Sequence, residues 1–278
     1  MTSSTGHSTS PKRELAALAR AASGGVIGIR EGARALGMSR RDASARLAAW
    51  TRAGWLARVR RGVYLIVPLE AESQGQTTAE DPWLLAAALF APCYIGGWSA
   101  AEHWGLTEQI FRSTFVATAA NIRARTAHHL GAAFTLARVK PERVQHLHSV
   151  WRGATRVFVS SRERTIVDGA IDPRWVGGFR HLADLFSAYI SEPNTNAAAL
   201  LRELRRFGNG AAAKRVGYLA ERIWPAATDL VEGAHALRST GVVKLDPSIA
   251  RRGHKNSRWG LWLNVSLDRM QAPIDERR

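Results

Sequence analysis

The sequence predicts an α+β fold: an N-terminal winged helix-turn-helix, then a larger mixed α/β domain with a mainly antiparallel sheet and a helical segment. Three observations predict it. Between Ser23 and Val67, two helical patterns joined by a tight Gly37-Met38 turn run into two short β segments, the order of a winged helix-turn-helix. Short β-branched and aromatic segments between turn signals then occupy the stretch from Cys93 to Ser160. From Arg162 onward the apolar residues recur at helical spacing.

The elements follow in order. Residues 1–11 open with MTSSTGHSTS, a Ser/Thr-rich tail expected to lack structure. Leu15, Leu18 and Ala22 share a face and predict a first helix over Lys12–Ala22. The next helix is expected over Ile29–Leu36, ending at Gly37, a residue suited to the positive φ of a helix C-terminus. Ser39 is a favoured N-cap for the helix Ser39–Ala53, whose inner face is Ala43, Leu47 and Trp50. Strands Trp55–Arg58 and Val63–Val67, joined by the basic turn Val59-Arg60-Arg61-Gly62, make the wing. Residues 12–70 are thus read as the DNA-binding domain, 71–80 as a polar linker without periodicity, and 81–278 as the second domain.

In that second domain, Asp81-Pro82 opens an apolar helix. A short strand Cys93–Ile95, a Gly96-Gly97 bend and a Ser-capped helix ending at Gly105 come next. Extended segments are expected near Thr114–Thr118, Ala133–Val139 and Thr155–Ser160. Helices are expected over Arg162–Ile171, Gly178–Ile190, Ala197–Phe207, Gly210–Trp224 and Ala227–Ser239. Strands Val242–Leu245 and Trp259–Val265 close the fold, with a basic loop Arg251–Arg258 between them.

Charge directs attention to the N-terminus. The chain of 278 residues carries 39 Lys+Arg against 23 Asp+Glu, a net charge of +16. Half of that excess falls on residues 1–70, a density about three times that of the remainder, which points to a polyanionic partner. On the outward face of the third helix, Ser39–Ala53, Arg41, Ala45, Ala48 and Arg52 project with Ser44 at the flank. Small side chains flanked by arginines suit a major groove, where Arg pairs with guanine O6/N7 and Ala methyls meet thymine methyls. Arg41, Ser44 and Ala45 are therefore assigned to base edges. Ser39, Arg40, Arg52, Arg58, Arg60 and Arg61 are placed at the same interface, the arginines on phosphates or the neighbouring minor groove.

Other chemistries find little support. One cysteine, Cys93, excludes an internal disulfide and a multi-thiolate zinc site. The nine histidines lack HExxH spacing; His146 and His148 alternate on what reads as one strand face and are taken as solvated. Glu163 and Asp168 lie about 140° apart on a helix and cannot share a face, so Glu163 is expected to cap or to pair with an arginine. Gly96-Gly97 fits neither phosphate-loop pattern. None of the five lysines follows an acidic residue by two positions, which removes a restriction-type nuclease triad. No cofactor and no metal are expected, and neither a leader nor a membrane span is read, so a cytoplasmic location is expected. The loop residues Arg251, Arg252, His254, Lys255 and Arg258 read equally as a solvated turn or as a contact patch for DNA or an acidic partner.

Several segments together resemble the AbiEi family of antitoxins. Arg60-Arg61-Gly62-Val63-Tyr64 is similar to the "RRGVY" that follows the family's recognition helix. Trp98–Leu106 resembles its "SAA…LGL" segment, and Arg162–Asp168 its "ERTLVD" motif with Gly177-Gly178 following. Tyr218–Glu221 and Arg258–Asn264 complete the order. The resemblance implies a non-enzymatic autorepressor that binds inverted repeats in its own promoter. It also implies that the second domain neutralises a nucleotidyltransferase-like toxin encoded alongside. The alternatives are a winged-helix repressor with an effector-binding second domain, or a DNA-processing enzyme.

Overall fold

A computed structural model of the chain describes residues 10–22, 25–67, 81–152, 155–250 and 252–267. Tail residues 1–9, the expected linker 71–80, Arg251 and the side chain of Arg60 lie outside the described residues. The chain divides into two compact units: Met1–Tyr94 with Thr118–Phe158, and Ile95–Ala117 with Val159–Arg278.

The first unit begins with the winged helix: α1 (Pro11–Ala21), β1 (Val26–Gly28), α2 (Ile29–Leu36), α3 (Arg40–Arg52), β2 (Leu56–Arg60) and β3 (Val63–Ile66). The three strands pair antiparallel in the order β1-β3-β2, with Ile27 opposite Tyr64 on one side and Arg58 opposite Tyr64 on the other. Three-residue β1 escapes a sequence reading because it is too short to alternate. The wing also differs from expectation. Its β2 continues to Arg60 through a register slip between Arg58 and Arg60, so Val59 is buried beneath the wing and the turn shrinks to Arg61-Gly62.

Leu18, Ala22, Ile27, Leu47, Trp50, Leu56 and Tyr64 form one buried cluster under these elements. Ala43 and Leu47 are fully buried and Trp50 nearly so, as the helical wheel requires. Gly32 allows α2 to close on α3: a Cβ there would stand 3.2 Å from Leu47 Cδ1.

Beyond the winged helix, Asp81 caps α4 (Pro82–Phe90) by accepting from the Trp83 amide at 2.8 Å. Strands β4 (Cys93–Ile95), β5 (Thr114–Thr118), β6 (Thr126–His129), β7 (Ala132–Arg138), β8 (His148–Arg152) and β9 (Thr155–Val159) follow the sheet order β6-β7-β5-β4-β9-β8. Strands β6, β7 and β8 and all of β9 but Val159 lie in the first unit. Antiparallel β6 and β7 pair Thr126 with Thr135 and His129 with Ala132. His146 precedes β8 with positive φ, so it and His148 do not share a strand face.

The second unit holds α5 (Gly97–His103), α6 (Arg162–Ile171), α7 (Phe179–Ser191), α8 (Ala197–Phe207), α9 (Gly210–Ile223) and α10 (Thr228–Ala236). A small sheet of order β10-β12-β11 joins them: β10 (Val243–Lys244), β11 (His254–Asn256) and β12 (Leu261–Leu263). Ser99, expected to cap α5, lies within it and accepts instead from the Phe115 amide at 2.9 Å, while Gly96 holds the cap position. Gly97 is forced by a close approach: a Cβ there would stand 2.1 Å from the Trp175 carbonyl oxygen.

Two buried polar side chains tie this unit together. Arg215 on α9 donates to the carbonyls of Ala170 and Ile171 at the end of α6, and of Lys244 and Leu245 at β10. Burial pushes its guanidinium down to about 10, against the pull of Asp172 and Asp246. Asp246 accepts from the first amide of α7, Phe179 N, at 2.8 Å and from Ser248, so a carboxylate sits at a helix N-terminus where the backbone dipole favours it.

Two variants test this packing. Trp50→Ala is expected to destabilise the winged helix by about 3–5 kcal/mol, the cost of truncating a large buried aromatic. An unshifted thermal melt would mean that α3 does not depend on this ring. Arg215→Met should cost on the order of 3 kcal/mol or more, because four carbonyls lose their donor together. In urea denaturation, a midpoint equal to that of wild type would refute the anchoring role.

Candidate nucleic-acid interface

The candidate interface grows from one turn. Gly37 takes φ 63° and ψ 32° and ends α2, its amide bonding back to Ala33 and Arg34. Two residues later the Ser39 hydroxyl accepts from the Asp42 amide at 3.2 Å and donates to the Asp42 carboxylate at 2.6 Å. That pair starts α3 at a fixed point and commits the Ser39 hydroxyl to the cap. With Ala43, Leu47 and Trp50 turned inward, Arg40, Arg41, Ala45 and Arg52 are exposed, and Ser44 and Ala48 are half-buried beside them. These side chains occupy one continuous outer face.

The sequence pattern gives Arg46 no role, and its partners explain its position. Its guanidinium bonds the carboxylate of Glu14, which is buried on α1, at 3.2 Å and lies 5.7 Å from the centre of the Trp50 ring. It therefore belongs to the docking of α3 on α1 more than to the outer face. The signal was available, since Glu14 is the acidic residue of the first turn of α1.

The wing is anchored by backbone to the start of α2 and to the residue before β1. The Ile29 amide, at the start of α2, donates to the Gly62 carbonyl at 3.1 Å, and the Ile66 amide donates to Gly25 at 2.7 Å. Gly62 takes φ +79° at the wing tip. Arg58 and Arg61 are exposed on either side of the turn.

The second basic patch has a different shape from the one expected. Residues 254–256 are not loop but strand β11, antiparallel to β12, with Lys255 opposite Trp262. Arg252, His254 and Lys255 are exposed, whereas Arg258 is engaged: its Nε lies 2.5 Å from Glu221 Oε1. Glu221 also accepts from the indole of fully buried Trp259 at 2.7 Å, and Gly217 lets that ring lie flat on α9.

The acidic residues considered for catalysis are occupied structurally. Glu163 accepts from the Tyr189 hydroxyl at 3.1 Å, so its partner is a phenol, not the cap or arginine expected. Asp168 is fully buried, its carboxylate 3.6 Å from Arg164 Nε one helical turn back. Thr165 bonds Ser160 and the Ser161 carbonyl, both at 2.7 Å, fixing α6 to the end of β9. Among the described residues no group of three or more His, Cys, Asp or Glu side chains could hold a metal ion. No helix among them is long and apolar enough to cross a membrane.

Comparison with solved structures adds the fold. The chain superposes on the crystal structure of the RV2827C protein from Mycobacterium tuberculosis with a TM-score of 0.60 at 20% identity, covering 90% of this chain and 89% of that one. No curated protein matches this chain. Residues 13–67, the winged helix from α1 to the end of the wing, match the family described as "Transcriptional regulator, AbiEi antitoxin".

Proposed function

We propose that the chain is a non-enzymatic autorepressor and antitoxin that binds inverted repeats in its own promoter and neutralises a cognate nucleotidyltransferase-like toxin. The observation that carries this reading is the outer face of α3. It presents small side chains between arginines at the position of a recognition helix, within the residues that match a family of antitoxin regulators. Arg41, Ser44 and Ala45 read base edges; Arg40, Arg52, Arg58, Arg60 and Arg61 hold phosphates, and Ser39 fixes the start of the helix. The division of labour proposed from the sequence is that residues 12–70 repress and residues 81–278 protect, joined by the linker 71–80. Arg251, Arg252, His254, Lys255 and Arg258 form the contact patch of the protecting part, with Arg258 held in place by Glu221.

Helix and wing make separable predictions. Arg41→Ala is expected to weaken operator binding by about 1–3 kcal/mol and relax base preference at one position. Arg61→Ala should weaken cognate and scrambled duplexes alike and reduce the log–log salt slope by about one. Titrations at several salt concentrations decide this; identical behaviour of the two variants on both duplexes would remove the assignment of helix and wing.

In cells, Arg41→Ala combined with Arg61→Ala in the full chain should abolish repression and leave protection from the adjacent toxin intact. Replacing Arg252 and Lys255 by Glu should do the reverse. A reporter fusion and a growth-rescue assay at matched expression measure the two outputs. Loss of both outputs in either variant would sink the proposed separation.

A further inference from the structure

Residues 118–158 belong to the first unit but not to its winged helix, and the repression proposed above makes no use of them. The stretch carries seven Lys or Arg side chains against one acidic residue, Glu142. Its last strands, β8 and β9, are neighbours, and β8 is the outer strand of the sheet. Side chains alternate along each. In β8 the Arg152 guanidinium lies 4.5 Å from the centre of the Trp83 ring on α4, which leaves Trp151 on the opposite side, 67% exposed. In β9 Val157 and Val159 are buried, while Phe158 is 37% exposed and the exposed Arg156 lies with its guanidinium 5.0 Å from the Phe158 ring.

One exposed indole and one partly exposed phenyl ring thus lie on adjacent strands, in a segment whose charged side chains are cationic but for Glu142. Water does not favour that arrangement, and an outer strand bearing an exposed Trp invites pairing with another chain. A second copy of this surface would bring like charges together. A nucleic-acid duplex meets the charge but not the rings, since its bases are stacked on one another and offer phosphates and groove edges. Unpaired bases meet both: each has a π-face for an aromatic ring and a phosphate for an arginine.

We propose that the exposed side of β8 and β9 binds single-stranded nucleic acid, with successive bases stacked on Trp151 and Phe158 and Arg156 beside them on a phosphate or a base plane. This surface is independent of α3 and the wing, so it stands or falls separately from the repressor reading.

The test uses the full-length chain and fluorescence anisotropy of labelled 12-nucleotide RNA and DNA single strands of one mixed sequence, with a DNA duplex of unrelated sequence as control. Trp151→Ala and Phe158→Ala should each weaken single-strand binding about tenfold while leaving duplex binding within twofold. Trp151→Phe should retain most of the affinity, and the variant carrying both Arg41→Ala and Arg61→Ala should bind single strands as wild type does. Tighter binding of the RNA strand, or of the DNA strand, names the natural ligand within the proposal. Binding that falls with Arg156→Ala but is untouched by both ring variants would reduce the surface to charge alone and overturn it. So would an absence of single-strand binding at low salt, or sedimentation showing a dimer that Trp151→Ala dissociates. Circular dichroism melts of each variant establish that the fold is intact; should Trp151→Ala unfold the chain, Phe158→Ala and Trp151→Phe carry the decision.

Discussion

Leu47 and Trp50, buried with Leu18, Ile27 and Tyr64, fix the rotation of α3 about its own axis. Everything on the outer face of that helix depends on this one constraint. Turning the helix by a single residue, about 100°, would expose the Trp50 ring and press polar side chains against the core, Ser44 and Thr51 in one sense or Asp42 and Arg46 in the other, and both changes are unfavourable. Gly37 and the Ser39–Asp42 pair then fix where the helix begins, so the position along the axis is as determined as the angle. Arg46 reinforces the same contact from the side through Glu14. The arginines of the outer face therefore need no contact of their own to be positioned; the core positions them.

The second unit solves a different problem. Its helices end against one another, where terminal carbonyls and amides lack helical partners. Arg215 supplies donors to four carbonyls at once, and Asp246 supplies an acceptor to the start of α7. Lys214, the neighbour of Arg215, is buried too and donates to the Gly241 carbonyl at 2.7 Å, its pKa lowered by burial and by the charges of Arg238 and Arg215. Buried polar groups matched in this way define one arrangement of the helices, because any other leaves charges or carbonyls unpaired. The same saturation occupies the residues that a search for catalytic pairs would pick out: Glu163 holds Tyr189, and Asp168 faces Arg164.

Much of the winged helix was legible because local chemistry and periodicity agree there. Gly37, Ser39 and the Ala43-Leu47-Trp50 stripe each announce their role from sequence spacing alone. The burial of Val59 in the wing is not legible, since a register slip has no sequence signature of its own. Residues 251–258 read as a loop because they lack alternation; the pairing of β11 with β12 comes from the neighbour strand and not from its own residues. Ser99 shows the limit of capping rules: a serine before a helical run looks like a cap, yet a backbone amide brought from Phe115 claims it. Trp151 and Phe158 cannot be told from core residues in the sequence, because aromatic residues in strands are usually buried; the structure leaves them on the uncovered side of the edge strand β8 and of its neighbour β9.

The hydrogen bond from the Ile29 amide to the Gly62 carbonyl links the tip of the wing to the first residue of α2. In the proposed complex, helix and wing are then two ligand sites joined by a tether without slack. Once α3 is seated, the local concentration of Arg61 at its phosphate is set by the length of that tether and not by diffusion. Lengthening the turn between Arg60 and Gly62 would dilute the second contact while leaving every contact residue in place.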